Sequence, residues 1–113
     1  MPGTIIHLTT RQELKDFTKK SNAFIIDFTA TWCKPCQTIK PLINQAFEQM
    51  KHYFDMVIVD AEKGSDICSF MKVKGFPTLV SFVNKEIVES VMGGDIEEVK
   101  HFFRSSFERV DGF

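Results

Sequence analysis

The amino-acid sequence predicts a single α/β domain, residues 1–113, built as a three-layer α/β/α sandwich with a mixed central sheet. Two continuous apolar runs, 24–28 and 55–60, read as strands buried on both faces. Segments with three- and four-residue apolar spacing alternate with them, and a hairpin and a closing helix end the pattern. A chain of 113 residues has room for one core but not two.

Residues Ile5 to Leu8 form a short edge strand in this reading. Thr10 resembles a helix N-cap, with Glu13 completing a capping box, and the helix extends to about Lys20 with Leu14 and Phe17 on a narrow buried face. After the strand Phe24–Phe28, a long helix runs from about Lys34 to His52. Its apolar stripe is Ile39, Leu42, Ile43, Ala46, Phe47 and Met50. Pro41 lies inside it and predicts a kink. A short helix over Ser65–Met71 turns Ile67, Phe70 and Met71 inward. Thr78–Val83 and Glu86–Met92 form a hairpin turning at Asn84-Lys85. Gly93-Gly94 breaks the chain, and Asp95 caps a last helix whose stripe is Ile96, Val99, Phe102, Phe103 and Phe107. Residues Arg109 to Phe113 are expected to fray.

Composition narrows the function. The hydrophobic fraction of 43% is that of a globular protein, and twelve phenylalanines against one Trp and one Tyr point to an aromatic core. With a net charge of -1 and interspersed charges, no basic stripe offers itself to nucleic acid. The apolar runs are too short for a bilayer, and Met1 to His7 lacks the charged and apolar regions of a signal peptide. A cytoplasmic location, with neither membrane nor nucleic acid as partner, is therefore expected.

Three cysteines are too few and odd in number for a secreted disulfide framework. Two form Cys33-Lys34-Pro35-Cys36, which composition alone leaves open between redox and metal chemistry. The pair sits where a buried strand gives way to a helix. Unpaired N–H groups and the partial positive charge of a helix N-terminus favour thiolate, and Lys34 adds a full charge. Only the thiolate attacks a disulfide. Residues three apart on one helix face have Cβ atoms roughly 5–6 Å apart, close to disulfide reach. Cys36 can therefore attack a mixed disulfide made by Cys33. Pro35 is tolerated because first-turn N–H groups have no helical partner to lose, and it stiffens the turn. Zinc would need more ligands, and Cys68, His7, His52 and His101 show no second paired spacing. The redox reading is preferred.

The segment Ile26-Asp27-Phe28-Thr29-Ala30-Thr31-Trp32-Cys33-Lys34-Pro35-Cys36 resembles the active-site segment of the thioredoxin family. Gly75-Phe76-Pro77-Thr78 resembles that family's cis-proline loop, and Gly93-Gly94 its third loop. The resemblance spans nearly the whole chain and implies the thioredoxin fold, in the order β-α-β-α-β-α-β-β-α that the patterning also reaches. It implies a thiol–disulfide oxidoreductase that reduces protein disulfides. No bound cofactor is implied beyond a redox-active Cys33–Cys36 disulfide. Electrons would come from NADPH through an external thioredoxin reductase, since the chain shows no flavin or nucleotide motif. A monomer is expected.

Asp27 places a carboxylate in an apolar strand, where burial should raise its pKa toward neutrality. One reading is an Asp that ties down the following loop. The resemblance favours another, a general base for Cys36, acting directly or through water. Pro77, by resemblance, is cis, and the Phe76 backbone before it pairs with an extended substrate segment. Trp32 would shield Cys33 and line the groove, with Phe76 and Gly93 completing an apolar patch around an exposed sulfur. Lys34 and Pro35 border the same groove.

Three positions depart from the family pattern. Lys34 stands where Gly is commonest, Thr29 where an aromatic residue is frequent, and Met56 near where many members carry a Lys opposite the buried Asp. Without that Lys, Asp27 is expected to be more strongly desolvated. Cys68 reads as a small packing residue on the short third helix. Three other functions compete: an oxidase or isomerase of oxidising compartments, which would want a secretory signal; a binding module without turnover, which would not need both cysteines; and the zinc module.

Overall fold

The computed structural model describes residues 2–110. The elements run β1 (Ile5–His7), α1 (Arg11–Lys20), β2 (Ala23–Thr29), α2 (Lys34–Met50), β3 (Asp55–Asp60), α3 (Ser65–Phe70), β4 (Thr78–Val83), β5 (Glu86–Met92) and α4 (Ile96–Val110). The sheet order is β1-β3-β2-β4-β5. β1, β3 and β2 are parallel, β4 runs antiparallel to β2, and β5 antiparallel to β4. This is the mixed sheet the patterning predicts, with β2 at its centre.

Central placement explains why β2 is apolar without interruption except at Asp27. Its even residues Phe24, Ile26 and Phe28 pack with Leu14 of α1, Ile67 of α3 and Val57, Val59, Val80 and Phe82 of the sheet. Its odd residues face the other way. Ala23 and Ile25 join Ile39, Ile43, Phe47 and Met50 of α2 and Val99, Phe102 and Phe103 of α4. Two apolar cores thus sandwich the sheet, with α1 and α3 on one face and α2 and α4 on the other. Phe24 anchors the first core, stacked on Phe82 and edge-on to Phe17.

Local chemistry sets the element ends. The Thr10 hydroxyl accepts the Glu13 N–H at 3.1 Å and the Glu13 carboxylate accepts the Thr10 N–H at 3.0 Å, the reciprocal capping box. Asn84 and Lys85 have φ of 53° and 72°, the left-handed pair that a two-residue hairpin turn requires. Asp95 Oδ1 accepts the Glu98 N–H at 3.0 Å and starts α4. Helix α2 continues through Pro41, which removes one donor without ending it, and stops at Met50 rather than His52.

Three expectations are corrected. Phe70 is 39% exposed, because α3 is too short to bury both flanks; Arg11 and Lys15 of α1 lie over its ring instead. Ile96, the first residue of α4, is 50% exposed, and the buried stripe of that helix begins at Val99. Arg109 and Val110 belong to α4, while residues 111–113 lie outside the described part. Among the described residues, no helix is long and apolar enough to cross a membrane.

Candidate functional site

β2 ends at Thr29, and the chain turns through Thr31 and Trp32 into α2. Cys33 is the N-cap of α2, and its Sγ accepts the Cys36 N–H at 3.2 Å. Lys34 and Pro35 fill the first two helical positions, where Pro35 costs no hydrogen bond. Cys33 and Cys36 are joined as a disulfide, with Cα atoms 5.3 Å apart. Both sit among Ala30, Ala61 and Phe76.

The expected exposed sulfur is corrected by this packing. Cys33 is only 5% exposed, whereas Trp32 beside it is 65% exposed. The Trp32 indole meets the Phe76 ring edge-to-face at 5.8 Å, so the two form one apolar wall next to the disulfide.

The loop carrying Phe76 contains a cis Phe76–Pro77 bond, as the resemblance implies. The Pro77 ring is fully buried, and its carbonyl accepts the Gly93 N–H at 2.8 Å. Gly93 has φ of +105°, a conformation few side chains adopt, with open space where a Cβ would stand. Gly94 has the opposite reason to be glycine, since a Cβ there would come 3.1 Å from the Pro35 Cβ. The three predicted segments therefore converge on the start of α2. Met92, which the sequence reading did not single out, belongs there too. It is exposed at the end of β5 and its Sδ packs over Gly75.

Beneath the disulfide lies a cleft of about 390 Å³, lined by Asp27, Thr29, Cys36 and Lys40 among others. Asp27 is partly accessible through it rather than sealed in the core. Among the described residues no hydrogen bond ties its carboxyl to a backbone N–H, which removes the loop-tethering role. Burial pushes its pKa up to about 6, and the Lys40 ammonium acts against that rise. Met56 lines the cleft as an apolar residue, in keeping with the desolvation expected of Asp27, and the cation that acts on the carboxyl comes from α2 instead. The signal was in the sequence, since Lys40 follows Cys36 by one helical turn.

Cys68 is half-buried against the core beneath α1 and α3. Burial, then the Asp60 charge, pushes its thiol pKa up. Among the described residues no group of three or more His, Cys, Asp or Glu side chains could hold a metal ion.

A mixed-sheet sandwich presenting a Cys-x-x-Cys disulfide at a helix N-terminus, flanked by a cis-proline loop, defines a thiol–disulfide oxidoreductase. The thioredoxin family model matches residues 5–105. The chain is 36% identical to thioredoxin-2 of Pyricularia oryzae over 95 residues, 81% of this chain and 53% of that protein. It is 33% identical to thioredoxin H3 of Arabidopsis thaliana over 90 residues, 78% of this chain and 74% of that one. Oxidised mitochondrial thioredoxin 3 of Saccharomyces cerevisiae superposes with a TM-score of 0.80 at 25% identity, covering 88% of this chain and 93% of that one. The chain belongs to the thioredoxin family. It spans about half the length of the Pyricularia protein.

Proposed function

We propose that the protein is a cytoplasmic electron carrier that reduces disulfides in other proteins and is recharged by an NADPH-dependent thioredoxin reductase. The single observation that carries this reading is the Cys33–Cys36 disulfide at the N-terminus of α2, with Asp27 opening into the cleft that Cys36 lines. In the reduced protein the Cys33 thiolate attacks a substrate disulfide. A Cys33–substrate bond forms, and one substrate sulfur leaves as thiolate. The Cys36 thiol then passes its proton to the Asp27 carboxylate, directly or through water in the cleft, and the new thiolate attacks Cys33 Sγ. The second substrate sulfur leaves, taking up a proton, and two electrons have moved to the substrate.

Trp32, Lys34, Pro35, Phe76 and Gly93 form the docking surface in this reading, and the buried Pro77 fixes the loop beneath it rather than touching the substrate. The Phe76 backbone, fixed by the Pro77 and Gly93 loops, pairs with an extended substrate segment. The working unit is a monomer of one domain.

Insulin disulfide reduction with NADPH and a thioredoxin reductase tests the proposal. Wild type should turn over and Cys33→Ser should not. Absence of turnover by the wild type, even with dithiothreitol as donor, would refute it.

A further inference from the structure

The loop that leaves α3 reaches the docking surface through Lys72-Val73-Lys74. It begins as a Schellman motif: the Val73 N–H donates to the Cys68 carbonyl at 2.9 Å, and the Lys72 N–H to the Ser69 carbonyl at 3.2 Å. Lys72 therefore holds, with φ of 57°, the left-handed position that glycine usually fills. A side chain in that conformation is strained, and such strain collects at functional surfaces.

Lys72 and Lys74 line a groove of about 330 Å³ between this loop and β5. Thr78 and Val80 of β4 and Ile87 and Met92 of β5 line it too. Both β5 side chains are exposed, so the groove has apolar surface open to solvent. One end abuts the docking surface. Met92 Sδ packs over Gly75, the neighbour of Phe76, which in turn covers the disulfide.

The two faces of the edge strand β5 differ in charge. Towards α4 stand Glu89, Glu97 and Glu98, of which the first two pair with Arg109 at 3.9 Å and Lys100 at 3.7 Å. On the opposite face no Asp or Glu lines the groove of Lys72 and Lys74. Both lysines are exposed, and among the described residues neither has an ion-pair partner. Two uncompensated cations beside apolar surface suit a ligand that brings an anion and an apolar side chain together.

We propose that Lys72 and Lys74 form a specificity subsite for protein substrates, binding a carboxylate of the segment that flanks the target cysteine while an apolar neighbour lies on Met92 and Ile87. The inference rests on the reading of the protein as a disulfide reductase. The cations speed encounter with acidic segments and hold them in register while Cys33 attacks.

The test uses the reduced protein, freed of its reductant, and capped synthetic peptides, each the symmetrical disulfide of a single cysteine. A Leu-Glu pair is walked along either flank, and every peptide has a Leu-Gln twin. Rates are taken relative to hydroxyethyl disulfide, which has no flanking segment. At the favoured position wild type should cleave the Glu peptide about 2–10-fold faster than its twin in low salt, the ratio shrinking as salt is raised. Lys72→Gly/Lys74→Gln should cleave both twins alike, and Lys74→Glu should turn the preference toward the Gln peptide. Glycine suits the left-handed position, so Lys72→Gly should resist urea at least as well as wild type. If wild type cleaves every pair of twins at equal rates, the subsite is overturned and the reductase reading stands. The same follows if the preference survives in the double variant, since it then belongs to Lys34. If no peptide is cleaved, the reductase reading falls, and the inference with it.

Discussion

The Cys36 backbone N–H donates to the Cys33 Sγ at 3.2 Å, so the atom that caps α2 is also the atom that Cys36 Sγ bonds. An N-cap acceptor is stabilised by the unpaired N–H groups and partial positive charge of the helix end, and an anionic sulfur gains more from them than a neutral one. Reduction would therefore leave Cys33, rather than Cys36, as the favoured thiolate.

That asymmetry predicts the order of alkylation. In the reduced protein at neutral pH, iodoacetamide should modify Cys33 first and Cys68 last, because burial and Asp60 hold the Cys68 thiol protonated. Peptide mass spectrometry of timed samples reads the order. Cys68→Ser should leave insulin reduction at the wild-type rate, and oxidation should yield no disulfide dimer on a non-reducing gel.

Asp27 makes stability depend on pH. Its folded-state pKa is about 6 against an ordinary 3.8, so the folded protein binds this proton more tightly than the unfolded chain does. Between about pH 4 and 6 the unfolded chain ionises while folded Asp27 stays protonated, and stability falls as pH rises through that window. Asp27→Asn should stabilise the oxidised protein by about 2–3 kcal/mol at pH 7.5 and by almost nothing at pH 4. Urea denaturation at the two pH values measures the difference.

The Trp32–Phe76 wall should matter for binding more than for chemistry. Phe76→Ala removes the ring that meets Trp32 and covers the disulfide. An aromatic pair contributes about 0.5–1.5 kcal/mol beyond its area, so KM for insulin should rise about 2–10-fold with a smaller change in kcat. Steady-state kinetics separates the two, and a kcat loss larger than the KM rise would contradict the assignment.

Ser106 Oγ donates to Ser81 Oγ at 2.8 Å, with both residues fully buried between β4 and α4. Ser106→Ala strands the Ser81 hydroxyl and should cost about 1–3 kcal/mol. Ser81→Ala/Ser106→Ala removes both polar groups and should cost less than the single change. Chemical denaturation of the three variants tests the order.

Most of the architecture is legible in the sequence because strong local signals coincide with it. The uninterrupted apolar run of β2 reflects a central strand covered on both faces, and the Thr10/Glu13 box marks the start of α1. The site is legible for a similar reason: Cys33, Cys36, Asp27 and the Phe76–Pro77 loop are specific in type and spacing. The exposure of Phe70 and Ile96 is not legible in the sequence, because periodicity assigns a face without saying how much of it the neighbouring elements cover. The cation beside Asp27 is less legible, because it stands on the helix at Lys40 and not across the strands at Met56. The Ser81–Ser106 pair leaves no trace in the sequence, since two serines on different elements carry no period.

The phenylalanine-rich interior and the position of Trp32 together have an optical consequence. Phenylalanine is nearly silent under long-wavelength ultraviolet excitation, and the only indole in the chain stands in solvent against Phe76, beside the Cys33–Cys36 bond. The intrinsic emission of the protein is thus a local probe, blind to the packing of the two cores. A change of redox state or the arrival of a substrate can be followed in real time without any added label.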